Sequence, residues 1–164
     1  MSINFLFLER NTVLHYAAQH GQTKIVKILV SETDINVEAR NSRGKTALEI
    51  ACIEHEAKVI DILAKHTSDI HQLLLDYIKK NEPNIVRSLL RNGDLSPKSF
   101  QGVSKNPLHY AIVLDRVRIT KILLRYSPWL TNCADVDGHK PSDLLTKGAS
   151  HKLKALLKSQ IVMT

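Results

Sequence analysis

Apolar residues recur along this chain in one repeating frame. Leu14, Leu48, Leu74 and Leu108 are separated by 34, 26 and 34 residues. Eleven positions after each stands a β-branched residue (Ile25, Val59, Ile85 and Ile119), and four further on a leucine (Leu29, Leu63, Leu89 and Leu123). A fifth copy follows 34 residues later, with Ser142, Leu153 and Leu157 in the same three places. The apolar spacing inside each copy is helical and predicts two short helices, in the first copy over Thr12 to His20 and Thr23 to Val30.

The small residues obey the same frame. Ala17, Ala51 and Ala111 sit three positions after the frame leucine, where a small side chain lets neighbouring helices approach closely. Gly21 separates the first two helices at a reversal that wants a left-handed backbone. Its counterparts are His55, Asn81 and Asp115, the residue types that best tolerate positive φ without being glycine. Asn41-Ser42-Arg43-Gly44, Gln101-Gly102-Val103-Ser104 and Asp135-Val136-Asp137-Gly138 are turn-forming stretches between pairs. Helices this short cannot bury their faces alone, so the pairs must stack.

Thr12-Val13-Leu14-His15-Tyr16-Ala17-Ala18, Thr46-Ala47-Leu48-Glu49-Ile50-Ala51 and Pro107-Leu108-His109-Tyr110-Ala111 share the leucine and alanine of one signature, with its threonine in the first two and its histidine in the first and third. Lys24 to Leu29, Asp34-Ile35-Asn36, Gly44-Lys45-Thr46 and Asp137 to Pro141 supply its second-helix and hairpin elements. In these segments the chain resembles the ankyrin-repeat family, over about residues 9 to 160. The resemblance implies an all-α ankyrin-repeat solenoid of five helix pairs with short hairpin fingers. The single domain over 1–164 would divide into repeats at about 9–40, 41–66, 67–98, 99–134 and 135–160. It also implies an inter-repeat hydrogen-bonding role for His15 and His109.

The third unit departs from the signature, reading Gln72-Leu73-Leu74-Leu75-Asp76-Tyr77, and the 26-residue step before it removes one finger. There Thr67-Ser68-Asp69 reads as a direct helix N-cap, with Gln72 placed for a capping-box contact to Asp69. In the fifth unit Ser142 replaces the frame leucine, and His151, Lys152, Lys154 and Lys158 give the last helix the wet outer face of a terminal cap. No comparable cap opens the array. Either Phe5 to Leu8 covers the first pair or the chain belongs to a longer one.

Composition narrows the chemistry. Cys52 and Cys133 are far apart in a chain of 164 residues, which fits a reducing compartment and excludes a disulfide scaffold. Cys52 falls on a core-facing position and reads as a small hydrophobe. The apolar run Ile3 to Leu8 is broken by Asn4 and is too short for a signal peptide or a membrane span. Eight histidines stand in no HExxH or CxxC pattern, so no metal site, cofactor or catalytic residue is expected. The net charge of +7 fits an acidic partner. The bases Lys24, Lys27, Lys58, Arg87, Arg91, Arg116, Arg118, Lys121 and Arg125 lie on second helices and read as a solvated outer face. They form no aromatic-interleaved stripe, which disfavours nucleic acid.

In ankyrin domains the finger tips and the exposed ends of the first helices line a concave groove. Carried onto this frame, the resemblance selects Gln19, His20, Arg43, Lys45, Ile53, Glu54, Lys79, Lys80, Lys105, Val113, Leu114 and His139. Apolar residues at Ile53, Val113 and Leu114 inside a charged rim have the make-up of an interface core. The competing expectation is that the missing finger lets neighbouring repeats close over them. The leading function is therefore a monomeric, non-enzymatic protein-interaction module (adaptor, inhibitor or effector) in the cytoplasm or a host cytosol, binding a partner protein. The alternatives are a targeting or regulatory segment of a larger enzyme and a nucleic-acid-binding protein.

Overall fold

The computed structural model describes residues 10–32, 34–68, 70–93, 95, 105–145 and 149–161, the last three by backbone only. Regular structure among the described residues is entirely helical. The chain falls into two compact units dividing between Ile70 and His71, with 91–94 grouped with the first.

In the first unit, α1 (Val13–Gln19) and α2 (Thr23–Ser31) form one antiparallel pair, and α3 (Ala47–Ile53) and α4 (Ala57–Leu63) the next. α1 packs on α3 and α2 on α4, so the two pairs stack in register. Each first helix starts at a side-chain cap. The hydroxyl of Thr12 accepts from the His15 N–H at 3.4 Å, and that of Thr46 from the Glu49 N–H at 3.2 Å. Leu14, Ala17, Ala18, Leu48, Ala51, Cys52, Val59 and Leu63 form the core. Each fully buried leucine contributes about 1.5–3 kcal/mol.

In the second unit α5 (His71–Lys79) packs on α7 (Pro107–Val113), and α7 on α8 (Val117–Tyr126). α6 spans Pro83–Asn92 and α9 spans His151–Ile161. Leu74, Ile78, Ile85, Leu89, Leu108, Ala111, Ile119, Leu123, Leu153 and Leu157 are buried. A 3-10 turn over Pro128–Asn132, which the repeat frame does not foretell, plugs Leu130 beneath α8.

Three details differ from the frame. The first helix of the fifth repeat is a 3-10 turn, Pro141–Leu144, because Asp143 folds back to accept the Lys140 N–H at 2.8 Å and polar Ser142 offers no apolar anchor. Ile25 is 44% exposed although Val59, Ile85 and Ile119 are buried: α2 packs mainly on α1 and α4, and Ile28 on the same helix is 62% exposed as well. The helix cap expected at Asp69 lies outside the described residues, as does the cover expected from Phe5 to Leu8; the amide of Gln72 donates to Asp76 at 3.1 Å.

In each of the first four repeats the reversal between the two helices takes the left-handed backbone. φ is +61° at Gly21, +58° at His55, +62° at Asn81 and +52° at Asp115. At each, the chain closes with a bond from the next residue back to the first helix, such as the Gln22 N–H to Ala17 carbonyl at 2.8 Å. The same closure, Arg116 N–H to Ala111 carbonyl at 2.8 Å, holds without glycine.

Candidate functional site

Two fingers share one internal design. Asn41 Oδ1 accepts the N–H groups of Arg43 and Lys45 at 3.0 and 2.9 Å. Asp135 Oδ1 accepts those of Asp137 and His139 at 3.0 and 2.9 Å. In both, the side chain holds the turn so that its tip residues project. Gly44 and Gly138 take positive φ at the reversal.

Each finger is tied to the repeat before it. His15 Nε2 lies 2.9 Å from the Lys45 carbonyl, and His109 Nε2 3.0 Å from that of His139. Both rings are buried. The inter-repeat role implied for these histidines is what their rings perform.

The candidate residues fall into two groups, one in each unit. In the first, Gln19 ends α1, Ile53 ends α3, Glu54 caps it, and Arg43 and Lys45 belong to the finger. These five line a single cleft of about 230 Å³ whose remaining wall is Asn11, Asn41 and Ile50. Ile53 is 50% exposed at its edge. His20, the exposed C-cap of α1, does not line the cleft. Lys45 is partly neutralised by Glu49 at 3.0 Å, which also pairs with Arg40 at 2.8 Å.

In the second unit, Lys79 ends α5, Val113 ends α7, and Leu114 caps α7. Val113 is 50% exposed and Leu114 half-buried. The Lys79 ammonium stands 5.4 Å from the ring centre of Tyr110, and Lys80 4.7 Å from that of Tyr77. The Arg116 guanidinium donates to the Lys79 carbonyl at 3.1 Å. Neither lysine has a carboxylate partner among the described residues. Lys105 is half-buried beside the Asn106 cap, and His139 is exposed on its finger.

The walls at Asn11 and Asn41 and the rings of Tyr77 and Tyr110 were missed in the sequence. The two asparagines share a signal, because Asn41 Nδ2 donates to Asn11 Oδ1 at 2.9 Å across 30 residues, the span of the histidine links. Asp135, Asp137 and His139 bring potential ligand atoms within 4.8 Å of one another. The Asp135 oxygen is already committed to the turn, which accounts for the cluster structurally. Burial raises the Asp135 carboxyl, but the His139 and Asp137 backbone donors with the His139 and His109 imidazoles outweigh it and hold the group below its ordinary range. Burial pushes the Cys133 thiol up, which disfavours a nucleophilic role.

Stacked helix pairs with capped first helices and finger turns define a helical repeat protein. The family described as ankyrin repeats (3 copies) matches residues 2–73. The chain belongs to the ankyrin-repeat family. Over 115 residues it is 34% identical to the BTB/POZ domain and ankyrin repeat-containing protein NPR2 of Oryza sativa subsp. japonica, covering 70% of this chain and 18% of that protein. It is 28% identical over 138 residues to Regulatory protein NPR4 of Arabidopsis thaliana, covering 84% and 23%. Over 69 residues it is 38% identical to the Probable E3 ubiquitin-protein ligase XBOS32 of Oryza sativa subsp. japonica, covering 42% and 13%. The chain therefore spans less than a quarter of these relatives. The ankyrin repeat domain of Bcl-3 has the same fold, with a TM-score of 0.70 at 19% identity over 96% of this chain and 72% of that one. Ankyrin repeats are generally protein–protein interaction modules without catalytic function. No described helix is long and apolar enough to cross a membrane.

Proposed function

We propose that this chain binds a partner protein through its fingers and the exposed C-terminal ends of its first helices, acting as an adaptor, inhibitor or effector. The observation that supports this reading most is the shared cleft of Gln19, Arg43, Lys45, Ile53 and Glu54. An exposed isoleucine edge with charged neighbours offers burial to an apolar anchor and orientation to its surroundings. Val113 and Leu114, at the end of the helix whose Tyr110 ring faces the Lys79 ammonium, offer a second contact of the same kind. An acidic partner suits the net charge of +7, and a cytoplasmic setting suits two free cysteines.

A second reading places the chain as the interaction segment of a larger regulatory protein or enzyme. It is favoured by relatives that combine ankyrin repeats with another domain and of which the chain spans 18% in the rice example.

The test is affinity capture with the full chain and its Ile53→Ser and Val113→Ser/Leu114→Ser variants. A bound protein should be retained by the wild type and lost from at least one folded variant, with affinity lower by about 2 kcal/mol or more. Retention by every folded variant would sink the surface. Capture of nucleic acid alone, lost steeply with salt, would replace the reading.

A further inference from the structure

The second unit holds a basic cleft on the opposite set of helices from the surface above. Arg87 of α6 and Arg118, Lys121, Ile122, Arg125 and Tyr126 of α8 line a cleft of about 310 Å³. The four cationic residues are exposed, Ile122 is buried at the floor, and Tyr126 is half-buried. Neither helix contains an Asp or Glu: α6 reads PNIVRSLLRN and α8 VRITKILLRY. Among the described residues none of the four makes an ion pair, whereas Arg40 and Lys45 share Glu49.

A solvated outer face ordinarily intersperses both signs, because like charges three or four residues apart on a helix repel. α8 instead sets Arg118, Lys121 and Arg125 at steps of three and four along one side. The concentration of charge around an aliphatic floor calls for an anionic occupant with an apolar part.

We infer that this cleft docks an acidic amphipathic helix of a partner protein, its carboxylates one turn apart and one aliphatic side chain seated on Ile122. The spacing fits: the three bases rise by about 4.5 and 6 Å along α8, as do carboxylates at i, i+3 and i+7 on a facing helix. Guanidinium groups at Arg118, Arg125 and Arg87 can each grip a carboxylate bidentately. The stripe is about 10 Å long, the reach of a few phosphates, and the single half-buried Tyr126 offers no run of rings for successive bases to stack on. The observations therefore favour a protein segment over a nucleic acid.

The probe is a short fluorescein-labelled peptide with Glu at i, i+3 and i+7 and Leu at i+4, titrated with the full chain and followed by anisotropy at about 50 mM salt. Expected are binding of this peptide, no binding when its Glu are Gln, and loss of affinity when its Leu is Ser. Arg118→Glu/Lys121→Glu should weaken binding at least about tenfold, with Arg118→Gln/Lys121→Gln substituting if the reversal unfolds. Lys24→Glu/Lys27→Glu, the same change in charge on α2, should leave it nearly unaltered, as should Val113→Ser/Leu114→Ser. Failure of the acidic peptide to bind overturns the inference. So does equal loss from the α2 variant, or a short DNA that binds tighter with the same dependence on Arg118 and Lys121. None of these outcomes bears on the finger surface.

Discussion

The ring of His109 joins its own helix to the finger thirty residues downstream. Its Nδ1 accepts the Asn106 N–H at 3.2 Å, so the proton must sit on Nε2, which donates to the His139 carbonyl at 3.0 Å. His15 repeats the geometry with Thr12 and Lys45. The second repeat has Glu49 at this position, and no finger follows it; the residue turns instead to Arg40 and Lys45. Histidine thus stands before each of the two described fingers, whereas the second repeat has Glu49 and the third Leu75 at this position.

His109→Ala removes both bonds and strands a buried N–H and a carbonyl. Urea unfolding should show a loss of about 2–3 kcal/mol. His20→Ala, on an exposed C-cap, should stay within about 0.5 kcal/mol. Equal effects at the two positions would refute the link.

The left-handed turns make a second, opposite-signed pair of expectations. His55 sits at φ +58° with an exposed side chain, so His55→Gly relieves backbone strain. The gain should be about 0.5–1 kcal/mol after glycine's extra entropy cost. Gly21→Ala should lose about 1 kcal/mol or more, since an added Cβ would also meet the Glu56 carboxylate. Asp115→Gly should show no such gain, because its carboxylate accepts the Ser150 hydroxyl at 2.9 Å. A stabilised Gly21→Ala variant would overturn the argument from φ.

The left-handed positions were legible because steric tolerance at a reversal depends on local residue type alone. The frame leucines were legible because burial follows helical periodicity. Ile25 was not, since its exposure depends on what flanks α2 and not on its own helix. Nor was the 3-10 turn at Pro141, where Asp143, three residues after Lys140, takes the Lys140 N–H and competes with helix propagation. The cleft residues Gln19, Arg43 and Lys45 could be placed through the finger register, but Asn11 could not, because its contact comes from packing across repeats. The rings beneath Lys79 and Lys80 belong to the same class: a tyrosine in a sequence does not announce which ammonium it will meet.

The connection from α4 to α5 is seven residues, 64–70, against fifteen, 32–46, from α2 to α3, and the division between the two compact units falls there. Each unit has its own buried core. Native-state hydrogen exchange should therefore resolve two opening free energies, one for Thr12 to Ile70 and one for His71 to Leu157, with 91–94 opening with the first. Thr120→Val supplies a check on attribution. The Thr120 hydroxyl is fully buried and has no hydrogen-bond partner among the described residues, so its replacement should stabilise by about 1 kcal/mol. That gain should appear in the second unit's exchange and not in the first's. A single opening free energy across all amides, shifted uniformly by Thr120→Val, would show one cooperative body instead.

The last expectation concerns acid. Asp135 has a folded carboxyl held below its ordinary value, against burial, by the His139 and Asp137 backbone donors and the His139 and His109 imidazoles. The unfolded chain lacks that arrangement, so its Asp135 binds a proton first as pH falls. A depressed folded pKa stabilises above the unfolded value, about pH 4, and that contribution fades as pH drops through the folded one. Asn41 holds the equivalent place in the first finger and makes the same two backbone contacts without a charge. Asp135→Asn should therefore keep the finger and the His109 link while removing one acid-labile component. Thermal melts from about pH 6 to about pH 3 should show a shallower decline in Tm for the variant than for the wild type. An unchanged slope would mean the carboxylate gains nothing from those partners on folding. A collapse of Tm at neutral pH would mean the turn needs the charge itself, and the equivalence of Asp135 with Asn41 would fail.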